Sequence, residues 1–135
     1  MKTVVISQPM YFPWVGMLEQ MALADVFVFL DDVQFSKGGF FNRVQIKTPQ
    51  GIRWLTVPLA EKKLGQSLGK MYPAHHDWQR KHLAALQHAY GAAPYIGELI
   101  TLVEIVLKKN NDTLAGLSAA SMEAMAEFFE VLPEM

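Results

Sequence analysis

Two carboxylates, Asp31 and Asp32, end the apolar run DVFVFLDD, and polar and basic side chains follow them closely. Such groups at the end of a strand can bind a metal–phosphate, orient a hydroxyl or hold a substrate amine. Alternatively, these carboxylates cap loops and pair with neighbouring charges at the surface. The candidates in this stretch are Asp31, Asp32, Gln34, Lys37, Asn42 and Arg43. Arg43 suits bidentate recognition of a carboxylate or phosphate, or a salt bridge with Asp31 or Asp32.

A second set of candidates lies in residues 8–16, QPMYFPWVG, whose two prolines exclude a helix interior and a central strand. The amide of Gln8 needs hydrogen-bond partners, which either the turn backbone or a ligand could supply. Tyr11 and Trp14 could stack on a ring or could seal the turn by packing. Gly16 stands where a helix N-terminus could receive a phosphate.

The four histidines do not predict a metal site. His82 and His88 are six residues apart, so they do not share a helix face, and His75 and His76 are adjacent and cannot easily face one ion. His82 lies on the same predicted helix face as Trp78 and is a candidate catalytic residue. The alternative is a core or cleft histidine without a chemical role.

The elements that must position these residues form the opening βαβ unit of a parallel α/β sheet. Apolar β-branched runs predict the two strands, and a run of strong helix formers predicts the helix. In order, the unit reads TVVIS (residues 3–7), the turn 8–16, MLEQMALA (17–24) and DVFVFL (25–30). Ligands bind outside the carboxyl ends of such strands, so Gln8, Asp31 and Arg43 are predicted to converge on one cleft there.

The rest of the chain predicts a hairpin followed by three helices. Residues 40–48 and 52–59 alternate around Pro-Gln-Gly, with a bulge expected near Asn42–Arg43. Asp77 is expected to cap the first helix and Gly91 to end it in the left-handed conformation. A second helix is expected from Pro94, and a third over residues 113–129. The predicted fold class is α/β, a Rossmann-like (nucleotidyltransferase-like) parallel sheet with an added β-hairpin and a helical C-terminal part.

Composition narrows the classes of function. The 135 residues suffice for one domain, and a net charge of −1 gives no general electrostatic reason to bind nucleic acid. The absence of cysteine excludes disulfides and thiolate chemistry. The N-terminus lacks a signal-peptide pattern and no apolar stretch is long enough to cross a membrane, so a cytoplasmic protein is expected.

The motifs QPMYFPWVG, ADVFVFLDDVQFSK, NR, WLTVPL, WQRKHLAAL and YGAAPY together resemble the WbqC-like protein family. The resemblance runs through most of the first 95 residues. Family members are encoded largely with bacterial O-antigen and surface-polysaccharide genes and are usually considerably longer. A weaker resemblance, to the nucleotidyltransferase-like fold, keeps only Gly16 of that fold's His-x-Gly-His turn, which reads Trp14-Val15-Gly16-Met17 here.

The resemblance implies an enzyme that modifies a nucleotide-activated amino sugar, by acyl or aminoacyl transfer to its amine, as a transferase or ligase. The alternative is a non-catalytic binding or scaffold subunit of the same pathway. The sequence assigns no cofactor, and a nucleotide sugar or an amino acid is the expected ligand. Residues 1–135 are expected to form a single domain that lacks the C-terminal half usual in the family. Apolar surface left uncovered is expected to make a homodimer through the last two helices.

Overall fold

The computed structural model describes residues 1–32, 39–60, 66–67, 70–74, 77–109 and 113–135. Two small sheets are followed by three helices, which confirms the predicted mixed α/β class, the hairpin and the helical C-terminal part. The elements are β1 (Val4–Ser7), α1 (Val15–Leu23), β2 (Val26–Phe29), β3 (Arg43–Thr48), β4 (Gly51–Thr56), α2 (Trp78–Tyr90), α3 (Ile96–Lys108) and α4 (Leu114–Phe128).

Strands β1 and β2 form a parallel pair connected through α1, as the βαβ pattern predicts. Val4 pairs with Val26 and Ser7 with Phe29, so both strands end at the same edge. On the other side of β2, the amide of Phe27 donates to the Glu134 carbonyl at 2.8 Å, and a parallel bridge joins Glu134 to Val26. The sheets within the described ranges have two strands each, so the larger Rossmann-like sheet stays a prediction.

Strands β3 and β4 form a separate antiparallel hairpin around Pro49 and Gln50. The register is regular from Arg43 opposite Thr56 to Thr48 opposite Gly51. The bulge expected near Asn42–Arg43 is therefore wrong. Because β3 begins at Arg43, Phe41 and Asn42 precede the strand, which is why Phe41 falls out of phase with the alternation. Gly51 has a φ of 110°, which an L side chain rarely adopts, so the turn requires a glycine there.

The core has two main parts that meet at α4. The larger joins the inner face of the hairpin to α2 and α3 around Ile46, Leu55, Leu86 and Val106. The smaller lies under the parallel pair, where Phe27 packs with residues of α1 and α4: Met17, Met21, Met122 and Ala126. Among the described residues, this packing covers one face of the parallel pair. Its other face exposes Val4, Ile6, Val28 and Leu30.

The contacts at the ends of α2 differ from the sequence expectations for both Asp77 and Gly91. The Asp77 side chain makes no cap bond, because its carboxylate pairs with Arg80 at 2.6 Å. Gly91 is right-handed, with φ −57° and ψ −27°, so the left-handed expectation is wrong. A side chain there would lie 2.7 Å from the Gln87 carbonyl oxygen, and this close approach requires glycine. Thr113 caps α4, and its hydroxyl oxygen accepts from the Gly116 amide at 3.0 Å.

Candidate functional site

A cleft of about 460 Å³ lies at the carboxyl ends of β1 and β2. The end of β1 and the turn after it form one wall of the cleft. The end of β2 forms a second wall, and the segment before β3 forms the third. The lining residues are Ile6, Ser7, Gln8, Met10, Leu30, Gly39, Phe40 and Phe41. This is the edge at which parallel α/β sheets bind ligands, because the connecting loops leave a crevice there.

The turn after β1 is held in place by a serine of α4. The Phe12 amide donates to Ser121 Oγ at 2.9 Å, and Ser121 Oγ lies 3.1 Å from the Met10 carbonyl. These bonds stabilise an unusual backbone, since Phe12 has a φ of 50°. The Tyr11 amide donates to the Phe40 carbonyl at 3.1 Å and joins the turn to the opposite wall of the cleft.

Arg43 braces that opposite wall. Its Nε donates to the Gly39 carbonyl at 3.1 Å, and its guanidinium carbon lies 3.8 Å from the centroid of the Trp54 ring. Phe40 extends the stack, with its ring centroid 5.9 Å from that of Trp54. A planar guanidinium between an aromatic face and a carbonyl keeps a fixed orientation at the rim.

Asn42 is buried and bonds to the end of β4. Its Nδ2 donates to the Val57 carbonyl at 3.1 Å, while the Val57 amide donates to the Asn42 carbonyl at 2.7 Å. The residue predicted to bind substrate thus fixes the loop that carries Phe40 and Phe41. This geometry gives Asn42 a positioning role at the cleft.

The polar residues predicted from the sequence differ in their positions relative to the cleft. Gln8 is exposed and lines the cleft, whereas Asp31 and Asp32 are exposed and directly follow the lining residue Leu30. Arg43 reaches the wall through Gly39. Gln34 and Lys37 lie outside the described residues. Convergence of the Gln8, Asp31 and Arg43 side chains on one ligand stays a prediction.

Tyr11 and His82 form a buried pair that does not line the cleft. The Tyr11 hydroxyl lies 2.8 Å from His82 Nδ1, and His82 Nε2 lies 3.0 Å from the Thr56 carbonyl oxygen. A carbonyl can only accept, so Nε2 carries a proton, and in the neutral ring Nδ1 accepts from the tyrosine. Both ring nitrogens are therefore engaged by groups of the protein itself.

Burial keeps this pair uncharged. Desolvation lowers the pKa of His82, and the hydrogen bond to Thr56 opposes that shift only in part. Desolvation also raises the pKa of Tyr11 well above its usual value. The arrangement joins the turn, α2 and the end of β4. It is a structural hydrogen-bond chain, with no hydrogen-bonding position of the imidazole left open to a substrate.

Trp14 stands immediately before α1 with its side chain 61% exposed. A Cβ atom on Gly16 would lie 2.2 Å from the indole ring, so the ring rests over this glycine. The contact explains why glycine follows tryptophan at this spacing. It also leaves indole surface accessible for stacking on a ligand ring.

The sequence reasoning did not single out two serines of α4 as positioning residues. Ser118 Oγ donates to the Phe41 carbonyl at 2.8 Å, so Ser118 and Ser121 together hold both walls of the cleft. The available signal was the run LAGLSAAS, in which two serines three residues apart share one helix face with small neighbours. Small side chains allow the backbone of the cleft walls to approach α4.

Within the part of the chain that the structure describes, no three His, Asp or Glu side chains are grouped to hold a metal ion. None of the helices in that part is long and apolar enough to cross a membrane. The chemistry that the described cleft offers is therefore that of Gln8, the neighbouring carboxylates, a braced guanidinium and aromatic rings.

Comparison with known proteins places the chain by sequence. Residues 8–135 match the WbqC-like protein family. An uncharacterized protein of Mycobacterium tuberculosis (strain ATCC 25618 / H37Rv) is 33% identical over 133 residues. That alignment covers 97% of this chain and 58% of the relative, so the chain spans little more than half the length of this relative. No solved structure matches the chain significantly.

Proposed function

Because the chain belongs to the WbqC-like protein family, we propose that it acts in bacterial surface-polysaccharide (O-antigen) biosynthesis. The proposed substrate is a nucleotide-activated amino sugar, and the reaction is acyl or aminoacyl transfer to its amine. The enzyme class is a transferase or ligase working in the cytoplasm. We also propose that the complete sheet is Rossmann-like and extends the β1–β2 pair.

One observation carries the proposal: the cleft at the carboxyl ends of β1 and β2 is followed on its β2 side by two exposed carboxylates. When an amine attacks the carbonyl carbon of an activated acyl donor, a C–N bond forms, the bond to the donor's leaving group breaks, and the nitrogen loses a proton. A carboxylate within hydrogen-bond reach can orient the amine and accept that proton. Asp31 is the proposed base because it directly follows the lining residue Leu30. Asp32 is proposed to assist by holding a neighbouring hydroxyl or amine.

The remaining roles follow from side-chain chemistry around the cleft. The guanidinium of Arg43 is proposed to hold a carboxylate or phosphate, with Lys37 as a second cation. Gln8 would hydrogen-bond the sugar, and the exposed indole of Trp14 would stack on a ring. Gln34 is proposed as a further polar contact, and Gly16 keeps the indole in place. Tyr11, Asn42 and His82 would support the walls.

A thermal-shift and calorimetric screen tests this function. The chain is mixed separately with UDP-N-acetylglucosamine, an aminodeoxy nucleotide sugar, free nucleotides and amino acids. We expect an aminodeoxy nucleotide sugar to raise the unfolding temperature, and Asp31→Asn to abolish most of that rise. Stabilisation that is equal for all nucleotides, or unchanged in Asp31→Asn, would contradict the proposed role of the carboxylate.

Glu19→Gln provides the matched control, because Glu19 is an exposed carboxylate on α1 that does not line the cleft. It removes the same charge as Asp31→Asn. We expect the ligand-induced shift of Glu19→Gln to equal that of the unmodified chain.

The second candidate is a non-catalytic binding or scaffold subunit of the same pathway. It is favoured by the exposed apolar face of the parallel pair, where Ile6 is 63% and Val28 41% exposed. Faces of parallel sheets are ordinarily covered by helices, so this one suits a protein contact. Ligand binding without turnover, when acyl and aminoacyl donors are supplied, would favour this candidate.

We also propose that the chain forms a homodimer through α3 and α4. Support comes from exposed apolar side chains on this surface, Ile105 at 53% and Phe128 at 48%. They border a shallow depression between the two helices. Two-fold symmetric contacts are the commonest way in which soluble chains cover such surfaces.

A further inference from the structure

A second cavity, of about 260 Å³, lies between the hairpin and the helices, and no residue lines both it and the cleft. The turn forms its floor, β3 and β4 form one wall, and α2, α3 and α4 form the other. The lining residues are Tyr11, Phe12, Pro13, Val44, Ile46, Leu55, Leu86, Tyr90, Leu99, Leu102, Val103 and Met125.

The lining is almost entirely apolar. None of these twelve residues is charged, and the Tyr11 hydroxyl is already bonded to His82. The cavity is partly open to solvent, and its lining offers few polar partners to the water inside, so an apolar ligand can displace that water at little cost. A charged group would lose its hydration without compensation. The chemistry of the walls therefore selects a neutral, apolar ligand.

The volume suits a ligand larger than a single small ring. An engineered apolar cavity of about 150 Å³ stays dry and takes up benzene. The present cavity is larger, and an adjoining one of about 200 Å³ shares Tyr90 and Leu99 with it. The adjoining cavity is lined by apolar surface of residues 93–96. Two neighbouring apolar volumes that share wall residues favour an elongated, flexible chain over a compact ring.

Tyr90, which lines both volumes, carries a hydroxyl group. Its hydroxyl oxygen accepts from the Lys47 amide at 2.9 Å, and its own proton has no acceptor among the described residues. A half-buried phenol with an unused donor can bond an oxygen atom of a ligand. The polar end of the ligand would then be an uncharged acceptor, such as a hydroxyl or carbonyl oxygen.

We propose that this cavity binds an aliphatic chain that carries a neutral oxygen at one end, with the chain between the hairpin and the helices and the oxygen at Tyr90. The site is independent of the polar cleft and of the reaction proposed there. The chemical class of the ligand is that of a medium-length alkyl or acyl group.

The probe is 1-octanol. It is added to the full chain, in which the methyl groups of the protein are isotopically labelled for NMR. We expect saturable shifts in the methyl resonances of Val44, Leu86 and Val103, and none in those of Val4 and Ile6 on the exposed sheet face. Titration gives the dissociation constant. Absent or non-saturating shifts at the cavity methyl groups would overturn the proposal.

Three variants decide whether the cavity itself is the site. Val44→Phe fills space equal to about two methylene groups, so binding should weaken roughly tenfold or more. Ile52→Phe adds a ring on the exposed surface of β4, outside the cavity lining, and should leave the dissociation constant unchanged. Tyr90→Phe removes the hydroxyl group and leaves the volume of the cavity unchanged. It should weaken binding of the alcohol several-fold. A dissociation constant in Val44→Phe equal to that of the unmodified chain would overturn the assignment of the cavity, and an unchanged constant in Tyr90→Phe would overturn the contact with the ligand oxygen.

Discussion

The hydroxyl of Tyr11 lies 2.8 Å from Nδ1 of His82, and both side chains are buried, at 1% and 5% exposure. The two residues are 71 positions apart, so this bond ties the turn after β1 to α2. Since His82 also bonds to the Thr56 carbonyl, it connects three elements around the core. The pair therefore fixes the turn from which Gln8 and Met10 face the cleft.

Tyr11→Phe should destabilise the chain by about 1–3 kcal/mol, the cost of a buried acceptor left without its donor. The ring is retained, so packing changes little, and only His82 Nδ1 loses its partner. Urea unfolding followed by circular dichroism measures the change. Tyr95→Phe is the control, because Tyr95 is 72% exposed, and should change stability by less than about 0.5 kcal/mol. Similar costs in both variants would contradict the structural role of the pair.

Stability should fall on mild acidification because of His82. Burial lowers the pKa of His82 in the folded chain, so below the ordinary histidine pKa of about 6.5 the unfolded state binds more protons. The free energy of unfolding should therefore decrease as the pH falls from about 6.5 toward the lower folded-state value.

Urea unfolding between pH 7.5 and 5 measures this slope. Asp77, whose pKa is lowered by its hydrogen bond with Arg80, loses its contribution only below the ordinary aspartate range, so it does not interfere. His82→Gln should flatten the slope, and His88→Gln, at an exposed position, should keep it. A slope that persists in His82→Gln would locate the effect elsewhere.

Gly16→Ala should move the Trp14 indole without unfolding the protein. The new methyl group would overlap the ring, which is the end of a flexible side chain and can turn away. Alanine also favours the helix by at most about 1 kcal/mol. We expect a changed indole NH resonance for Trp14 and unchanged or slightly increased stability.

Gly97→Ala is the matched control, since a Cβ atom there meets nothing within 4 Å. It lies in α3 and should give the same small helix gain while leaving the Trp14 resonance in place. Loss of cooperative unfolding in Gly16→Ala would show that the glycine has a backbone role that the contact with Trp14 does not explain.

Arg43→Lys should cost about 1–2 kcal/mol, from the stacking on Trp54 and the hydrogen bond to Gly39. Lysine keeps the charge but lacks the planar group that makes both contacts. Arg53→Lys, at an exposed position of β4, should cost less than about 0.5 kcal/mol. Urea unfolding measures the stability of both variants. An equal loss of stability would mean that the contacts of Arg43 with Trp54 and Gly39 do not stabilise the fold.

The proposed homodimer predicts that light scattering at micromolar concentration gives twice the chain mass. Ile105→Lys, on α3, should shift the chain to monomer, because the new charge would be buried at the contact. Ile6→Lys is the control on the exposed sheet face and should leave the dimer intact. If Ile6→Lys dissociates the dimer and Ile105→Lys does not, the dimer contact lies on the exposed face of the parallel pair.

The sequence by itself determined the local elements. β-branched runs predicted β1 and β2, strong helix formers predicted α1, and the helix expected over residues 113–129 matches α4 (Leu114–Phe128). These elements could be predicted because strand alternation and helix periodicity depend on neighbours within a few residues. Parallel pairing of β1 with β2 then followed from their connection by a helix, and the predicted edge is the one at which the structure has a cleft.

Only the tertiary structure decided which polar groups meet. His82 bonds to Tyr11, Asn42 to Val57, and Ser121 to the turn more than a hundred residues earlier. Likewise, Gly91 is required by the nearby Gln87 carbonyl and not by a left-handed backbone. Each of these side chains has the same local pattern whether it faces a ligand or a buried partner. The choice is made by packing, because a buried polar group must find its partner wherever the fold brings one.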